Sequence, residues 1–359
     1  EYLWSQQADD GGWHSEQYAV LRSGQALTPF VLHALLQVPE SIYPRPQGSV
    51  ERALDFIRSH VDEHGAIGKS DPDILEYPVY STAYSVLCLR GAGTTREDRL
   101  AIRRMIRFLR NAQFNERNGF SRDHLAFGGW GFDAPKSPGD PGHMDLAHTR
   151  RVLQALAFEF PILTRGGDSL IVGRSHSFLH GVQKHPDAAA RQPLGHRIDS
   201  TALATRYDGG FYFSPVVLAA NKGREEIEDC SSCFRSYATA TCDGVLALLA
   251  AGVPRSDARV VRAVHWLEAH DDLDYPQGVP TDYVEPWGDA IRFYHDAVRA
   301  EAYAALDWPG DWRAQLAAVV AKSQAADGSF RNDVSPLMKE DDPLLCTALA
   351  VVALGHCAE

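Results

Sequence analysis

Several groups of side chains along this sequence have the types and spacing for chemistry. His143, Asp145 and His148 follow one another as H-x-D-x-x-H, and Asp229, Cys230 and Cys233 form D-C-x-x-C. Imidazole, thiolate and carboxylate hold zinc and related ions, so each run has the donors of a metal site. A lone C-x-x-C lacks the second pair of a zinc framework, and short His/Asp runs arise by coincidence among 15 His, so no metal and no other cofactor is expected. Two acidic groups, Asp71, Asp73 and Glu76 and then Glu340, Asp341 and Asp342, each precede an apolar segment. Facing carboxylates would supply the acid and base of glycoside cleavage, whereas the same residues ahead of a helix simply complement its dipole.

Aromatic residues form a further set. Tyr80, Tyr84, Tyr237, Trp287, Phe293, Tyr294 and Tyr303 lie on or just before apolar segments, which also carry Asp243 and His295. A cavity walled by such rings suits a long apolar ligand and would stabilise a cation formed on it, although most aromatics in any helical protein are core. Tyr80, Tyr84, Tyr237, Asp243, Trp287, Tyr294 and His295 are the expected ligand-binding set.

Composition narrows the function classes. Lys and Arg total 35 against 47 Asp and Glu, a net charge of −12, which argues against a nucleic-acid groove and against a basic membrane-binding face. No apolar run is long enough to span a bilayer. Six Cys are too few for a disulfide framework in a chain of 359 residues, and Cys88, Cys242 and Cys346 sit in apolar runs as buried thiols. No phosphate loop or dinucleotide fingerprint is present. The sequence assigns no compartment.

The elements that must position these residues come from an internal repeat. QQADDGGW at Gln6 to Trp13 returns as QAADGSF at Gln324 to Phe330, with weaker copies near Gly65, Gly119, Gly209 and Gly278. Gly11, Gly65 and Gly119 are spaced by 54 residues, enough for two helices per period. Six apolar segments with helical spacing follow the turns: Ala26 to Val38, Val79 to Ala92, Asp145 to Phe158, Ser236 to Gly252, Ala290 to Leu306 and Pro343 to Cys357. Between them run amphipathic stretches, Ser49 to Val61, Arg96 to Ala112, Ser169 to Lys184, Ser256 to His270 and Trp312 to Gln324. Apolar segments must be covered on all sides, which a second layer of helices accomplishes, and Gly93, Gly252 and Gly355 are the expected C-caps. Residues 186–205 break the rhythm and read as a long loop. Glu1 to Gln7 reads as the tail of a further outer helix, so the chain begins inside a repeat and a preceding or removed segment is expected.

Gln followed by Asp-Gly-Gly-Trp or Asp-Gly-Ser-Phe resembles the QW repeat of the prenyltransferase and squalene-cyclase superfamily, along nearly the whole chain. The resemblance implies a single all-α domain over 1–359, an α/α toroid of six helical hairpins with inner and outer rings and a central cavity. It implies an apolar isoprenoid ligand, and a second barrel or self-association to close the pocket. Cyclases of this superfamily protonate their substrate from a D-x-D-D motif at the start of an inner helix. Here the corresponding place, after GGWGF, reads Asp145, Leu146, Ala147, His148, with one Asp kept and two lost. The implied catalytic pair is Asp145 as general acid with His148 one turn on as its partner; the alternative is a helix cap beside a satisfied histidine. The leading expectation is an isoprenoid-binding toroid, in the enzyme case a cyclase lacking D-x-D-D. A non-catalytic scaffold and a glycan-active α/α barrel are the alternatives.

Overall fold

The computed structural model describes residues 1–71, 73–92, 95–135, 139–140, 142–157, 169–187, 207–222 and 234–358. Gly93, Asp229, Cys230, Cys233 and most of the expected 186–205 loop lie outside them. The chain is all-α: the described residues form helices α1 (Tyr2–Ser5), α2 (Leu27–Leu36), α3 (Ser49–Ser59), α4 (Pro78–Gly91), α5 (Arg96–Asn111), α6 (Leu146–Leu156), α7 (Ser169–Val182), α8 (Ala238–Ala250), α9 (Ala258–Glu268), α10 (Trp287–Ala290), α11 (Arg292–Ala305), α12 (Trp312–Ala321) and α13 (Pro343–Cys357). A two-stranded antiparallel sheet, β1 (Trp130–Gly131) and β2 (Met144–Asp145), pairs Trp130 with Asp145. Every expected helix is present, the fifth apolar segment as α11, which the short α10 precedes. Gly252 takes φ +82° just after α8, as a C-cap requires, whereas Gly355 lies inside α13.

The helices pack into two compact units. The first comprises Glu1–Asn111 with Asp289–Glu359. In it α11, α13, α2 and α4 pack in that order, with α12 on α11 and α13, α3 on α2 and α4, and α5 on α4. Helix α13 has no Asp, Glu, Lys or Arg and is covered by four neighbours. Its start is set by Pro343 at the first turn and by Asp342, which accepts from the N–H groups of Leu344 (2.9 Å) and Leu345 (3.1 Å). Outer helix α3 buries Ala53, Leu54, Phe56 and Ile57 and exposes Glu51, Arg52 and Asp55, and each large apolar side chain so placed contributes about 1.5–3 kcal/mol.

The second unit is Ala112–Gly288. Helix α6 packs against α8, α7 against both and α9 against α8.

One joint recurs in both units. After five of the six turns a buried residue donates its backbone N–H to a threonine on the next apolar helix: Trp13 to Thr28 (3.0 Å), Ile67 to Thr82 (3.1 Å), Trp130 to Thr149 (3.0 Å), Phe211 to Thr241 (3.1 Å) and Phe330 to Thr347 (2.9 Å). Glutamine supplies the other half. Gln113 Nε2 donates to the carbonyls of Gly128 and Ile171, both at 3.0 Å, and Gln183 Nε2 to those of Gly209 and Arg259, both at 2.9 Å. Each joint satisfies backbone groups that would otherwise be buried without partners. Gly128 is obligatory there, because φ is +91° and a Cβ would lie 1.7 Å from the carbonyl oxygen of Arg174.

Candidate functional site

In the second unit Asp145 leaves β2 in extended conformation and becomes the N-cap of α6. Its Oδ1 accepts the backbone N–H of His148 (2.9 Å), and its Oδ2 faces His148 Nδ1 at 2.8 Å and His143 Nε2 at 3.4 Å. Burial by itself would raise this carboxyl, but the charge of His148 and hydrogen bonds from His143 and His148 hold it well below the usual carboxylate range. Asp145 is therefore ionised at neutral pH. His143 is pushed up, chiefly by its hydrogen bond to Asp145. Both imidazoles thus turn a nitrogen toward the carboxylate, and among the described residues no three His, Cys, Asp or Glu side chains converge as a metal would require.

Around this pair the fold gathers residues distant in sequence. Lys222 is buried with Nζ 3.8 Å from the centroid of the Trp287 ring. Burial pushes its amine down to about 8, against the opposing pull of Asp145. Tyr237 is fully buried, and burial followed by the charges of Asp243 and Asp145 drives its phenol upward. Asp243 on α8 is itself buried and paired with Arg150 on α6 (Nε to Oδ1 2.8 Å). Asp145, His148, Tyr237, Asp243 and Trp287 thus belong to one unit. Lys222 carries no local pattern that sequence reading could have used.

The other expected ligand residues lie in the first unit. Tyr80 and Tyr84 on α4 stack with ring centroids 5.7 Å apart, and together with Phe30, Tyr77 and Tyr294 they wall an apolar cavity of about 200 Å³ completed by Leu21, Leu27, Leu345 and Leu349. Glu340 is in the same wall, accepting from the N–H groups of Phe293 (3.0 Å) and Tyr294 (2.8 Å) and from Asn332 Nδ2 (3.0 Å). Burial pushes its carboxyl up to about 8. His295 is buried on α11 and does not line the cavity. Burial and then the charge of Arg299 hold it neutral.

The acidic groups are occupied structurally. Glu76 accepts from the N–H groups of Ser23 (2.7 Å) and Ala26 (3.3 Å), Asp342 caps α13, and Asp71 pairs with Arg22 at 3.1 Å. Cys88, Cys242 and Cys346 are buried thiols, and no described helix is long and apolar enough to cross a membrane.

Solved structures share this architecture. A variant of the type II terpene cyclase MstE from Scytonema, in complex with geranylgeranyl dihydroxybenzoate as substrate, matches with a TM-score of 0.53 and 16% identity over 99% of this chain and 94% of that one. A protein from Actinoplanes matches at 0.52 with 16% identity, over 100% of this chain and 97% of its own. A second MstE variant with the same substrate gives 0.51 and 14% identity, over 99% and 94%. The fold is terpene cyclase-like. No family model and no curated protein matches the chain. Within this terpene cyclase-like fold the second unit places an ionised Asp–His pair at the start of α6, and the first unit places an aromatic cavity beside α4.

Proposed function

We propose that the protein binds an apolar isoprenoid through the aromatic cavity of its first unit, and that it is a non-standard terpene cyclase whose proton chemistry lies with Asp145 and His148. The cavity carries the reading: its walls are leucines and aromatic rings, a lining that takes alkene chains and whose ring faces stabilise positive charge. At about 200 Å³ it is below the roughly 300–1,000 Å³ of sites enclosing a whole drug-sized ligand, so it would take the end of a chain. Within the pair we assign the roles differently from the sequence expectation of Asp145 as general acid. An ionised carboxylate orients an imidazole and cannot donate a proton, so in this reading Asp145 is the positioning partner and His148 the side chain that it orients; the depressed Asp145 carboxyl supports this assignment.

One observation favours a second reading, a binding protein without turnover: Asp145 is 1% and His148 4% exposed, so a substrate would reach them only through movement. The test incubates the protein separately with squalene, oxidosqualene and geranylgeranyl diphosphate, measures binding by equilibrium dialysis and analyses extracts by gas chromatography and mass spectrometry. A cyclised product that disappears in His148→Gln supports the cyclase. Saturable binding that Tyr84→Ala weakens, without product, supports the binding protein. Failure of all three to bind overturns both.

A further inference from the structure

Helix α5 is anomalous for a chain of net charge −12, because it carries six arginines, no lysine, and only Glu97 and Asp98 in opposition. Its inner face is Ala101, Ile102, Met105, Ile106, Phe108 and Leu109, all buried, and Asp98 is engaged by Arg58 (Nε to Oδ1 2.8 Å). Arg96, Arg99, Arg103, Arg107 and Arg110 recur at helical spacing and form one outward stripe, with Arg104 beside it. A rise of about 1.5 Å per residue makes the stripe roughly 20 Å long. Arg96, Arg103, Arg104 and Arg107 are exposed, and among the described residues none of these four has an ion-pair partner. Leu100, 55% exposed, lies among them in a surface cleft with Glu97, Arg103, Arg104 and Arg107. Like charges one turn apart weaken the helix that carries them, and among the described residues no ion pair of Arg96, Arg103, Arg104 or Arg107 offsets that repulsion.

We propose that this face of α5 docks on a membrane surface rich in anionic phospholipid. Guanidinium groups match phosphate oxygens in bidentate geometry, and a leucine among them suits the boundary between headgroups and acyl chains. A stripe roughly 20 Å by 10 Å is about a quarter of the roughly 800 Å² that each partner of a stable protein pair contributes. The exposed face has no aromatic ring on which bases could stack, since Phe108 is buried, which disfavours single-stranded nucleic acid. Salt confines charge interactions to about 8–10 Å, so acidic residues elsewhere on the chain do not cancel the contact. Whole-chain charge averaging hides the stripe, and the helical period reveals it.

The test is co-sedimentation of the full chain with phosphatidylcholine vesicles containing a quarter phosphatidylglycerol, and with vesicles of phosphatidylcholine alone. Expected is binding to the anionic vesicles at low salt, none to the neutral ones, and loss near 0.5 M salt, where screening acts over only a few ångströms. Each arginine near an anionic surface is worth about five-fold in partition, so Arg103→Gln with Arg104→Gln and Arg107→Gln weakens binding about a hundred-fold. Arg331→Gln, an exposed arginine of the same unit, leaves it unchanged. Relief of repulsion leaves the melting temperature of the triple variant unchanged or raised. Should that variant fail to fold, Leu100→Gln, which keeps every charge, is expected to weaken binding several-fold. No binding at low salt, equal binding to both vesicles, wild-type binding by a folded triple variant or by Leu100→Gln, or tighter arginine-dependent binding to a single-stranded RNA oligomer overturns the proposal.

Discussion

Replacing Asp145 with asparagine separates its two tasks. Asparagine caps a helix as well as aspartate does, so the bond from the His148 N–H (2.9 Å) can persist, while the charge facing His148 Nδ1 at 2.8 Å is removed. A hydrogen bond to a charged group contributes about 1.5–3 kcal/mol, so Asp145→Asn is expected to cost about 2 kcal/mol at pH 7, and Asp145→Ala about 1 kcal/mol more through loss of the cap. At about 2–4 °C per kcal/mol for units of this size, the asparagine variant melts about 4–8 °C below wild type. Far-UV circular dichroism melts across a pH series provide the assay.

The pH dependence has a definite sign. The Asp145 carboxyl is held below its usual 3.8, so its stabilisation is complete above that value and is lost as pH falls through the depressed folded value. The gap between wild type and Asp145→Asn should stay level from about pH 6 to 5 and close only below about pH 4. His143 acts in the opposite sense: its raised titration makes its share present below 6.5 and lost as pH rises through the folded value, which trims the gap on the alkaline side. Coincident melting at pH 7, or a gap that opens on acidification, would mean that Asp145 is protonated in the folded chain. The assignment of Asp145 as a positioning carboxylate would then fail.

Three other perturbations probe the frame. Gly128→Ala, with φ +91° and a Cβ 1.7 Å from the Arg174 carbonyl, is expected to cost more than about 4 kcal/mol or prevent soluble expression, while Gly173→Ala, with nothing within 4 Å, stabilises α7 by about 0.5–1 kcal/mol; thermal melts of the two side by side check this. Glu340 is raised to about 8 from its usual 4.5, so the stability it confers is full below 4.5 and lost as pH rises through about 8; wild type should weaken across that window more than Glu340→Gln, and parallel melting curves would refute it. Arg150→Met removes the ion pair of the buried Asp243 and should cost about 3–5 kcal/mol in denaturant unfolding, most of it recovered by adding Asp243→Leu.

Much of the fold was legible because the repeat writes the same physics several times. Apolar segments such as Pro343–Cys357 and amphipathic ones such as Ser49–Ser59 differ in period and composition, and turn glycines mark every joint. The threonine half of the joint was equally readable in principle, since Thr28, Thr82, Thr149, Thr241 and Thr347 each sit in the first turns of an apolar helix. Helix ends were less legible. Gln183 and Gln324 fall within the expected amphipathic stretches but lie beyond the helix ends, where their amides donate to turn carbonyls that exist only after folding.

The candidate sites were legible as residue types and not as charge states. Spacing alone places His148 one turn beyond Asp145, but the charge state of Asp145 depends on burial and on His143 across the carboxylate, and neither is a local property. The same holds for Glu340: in sequence it is one of three consecutive acids before a helix, interchangeable with Asp341 and Asp342, and folding alone buries it against the start of α11 beside an apolar cavity, where its carboxyl rises. Asp342, two residues away, is turned to capping α13 and has no such part. Identical chemistry in adjacent residues is therefore divided by where the backbone points each side chain. For this chain, Asp145 and Glu340 illustrate the division in opposite directions, one carboxyl driven down by histidines and the other driven up by an apolar wall.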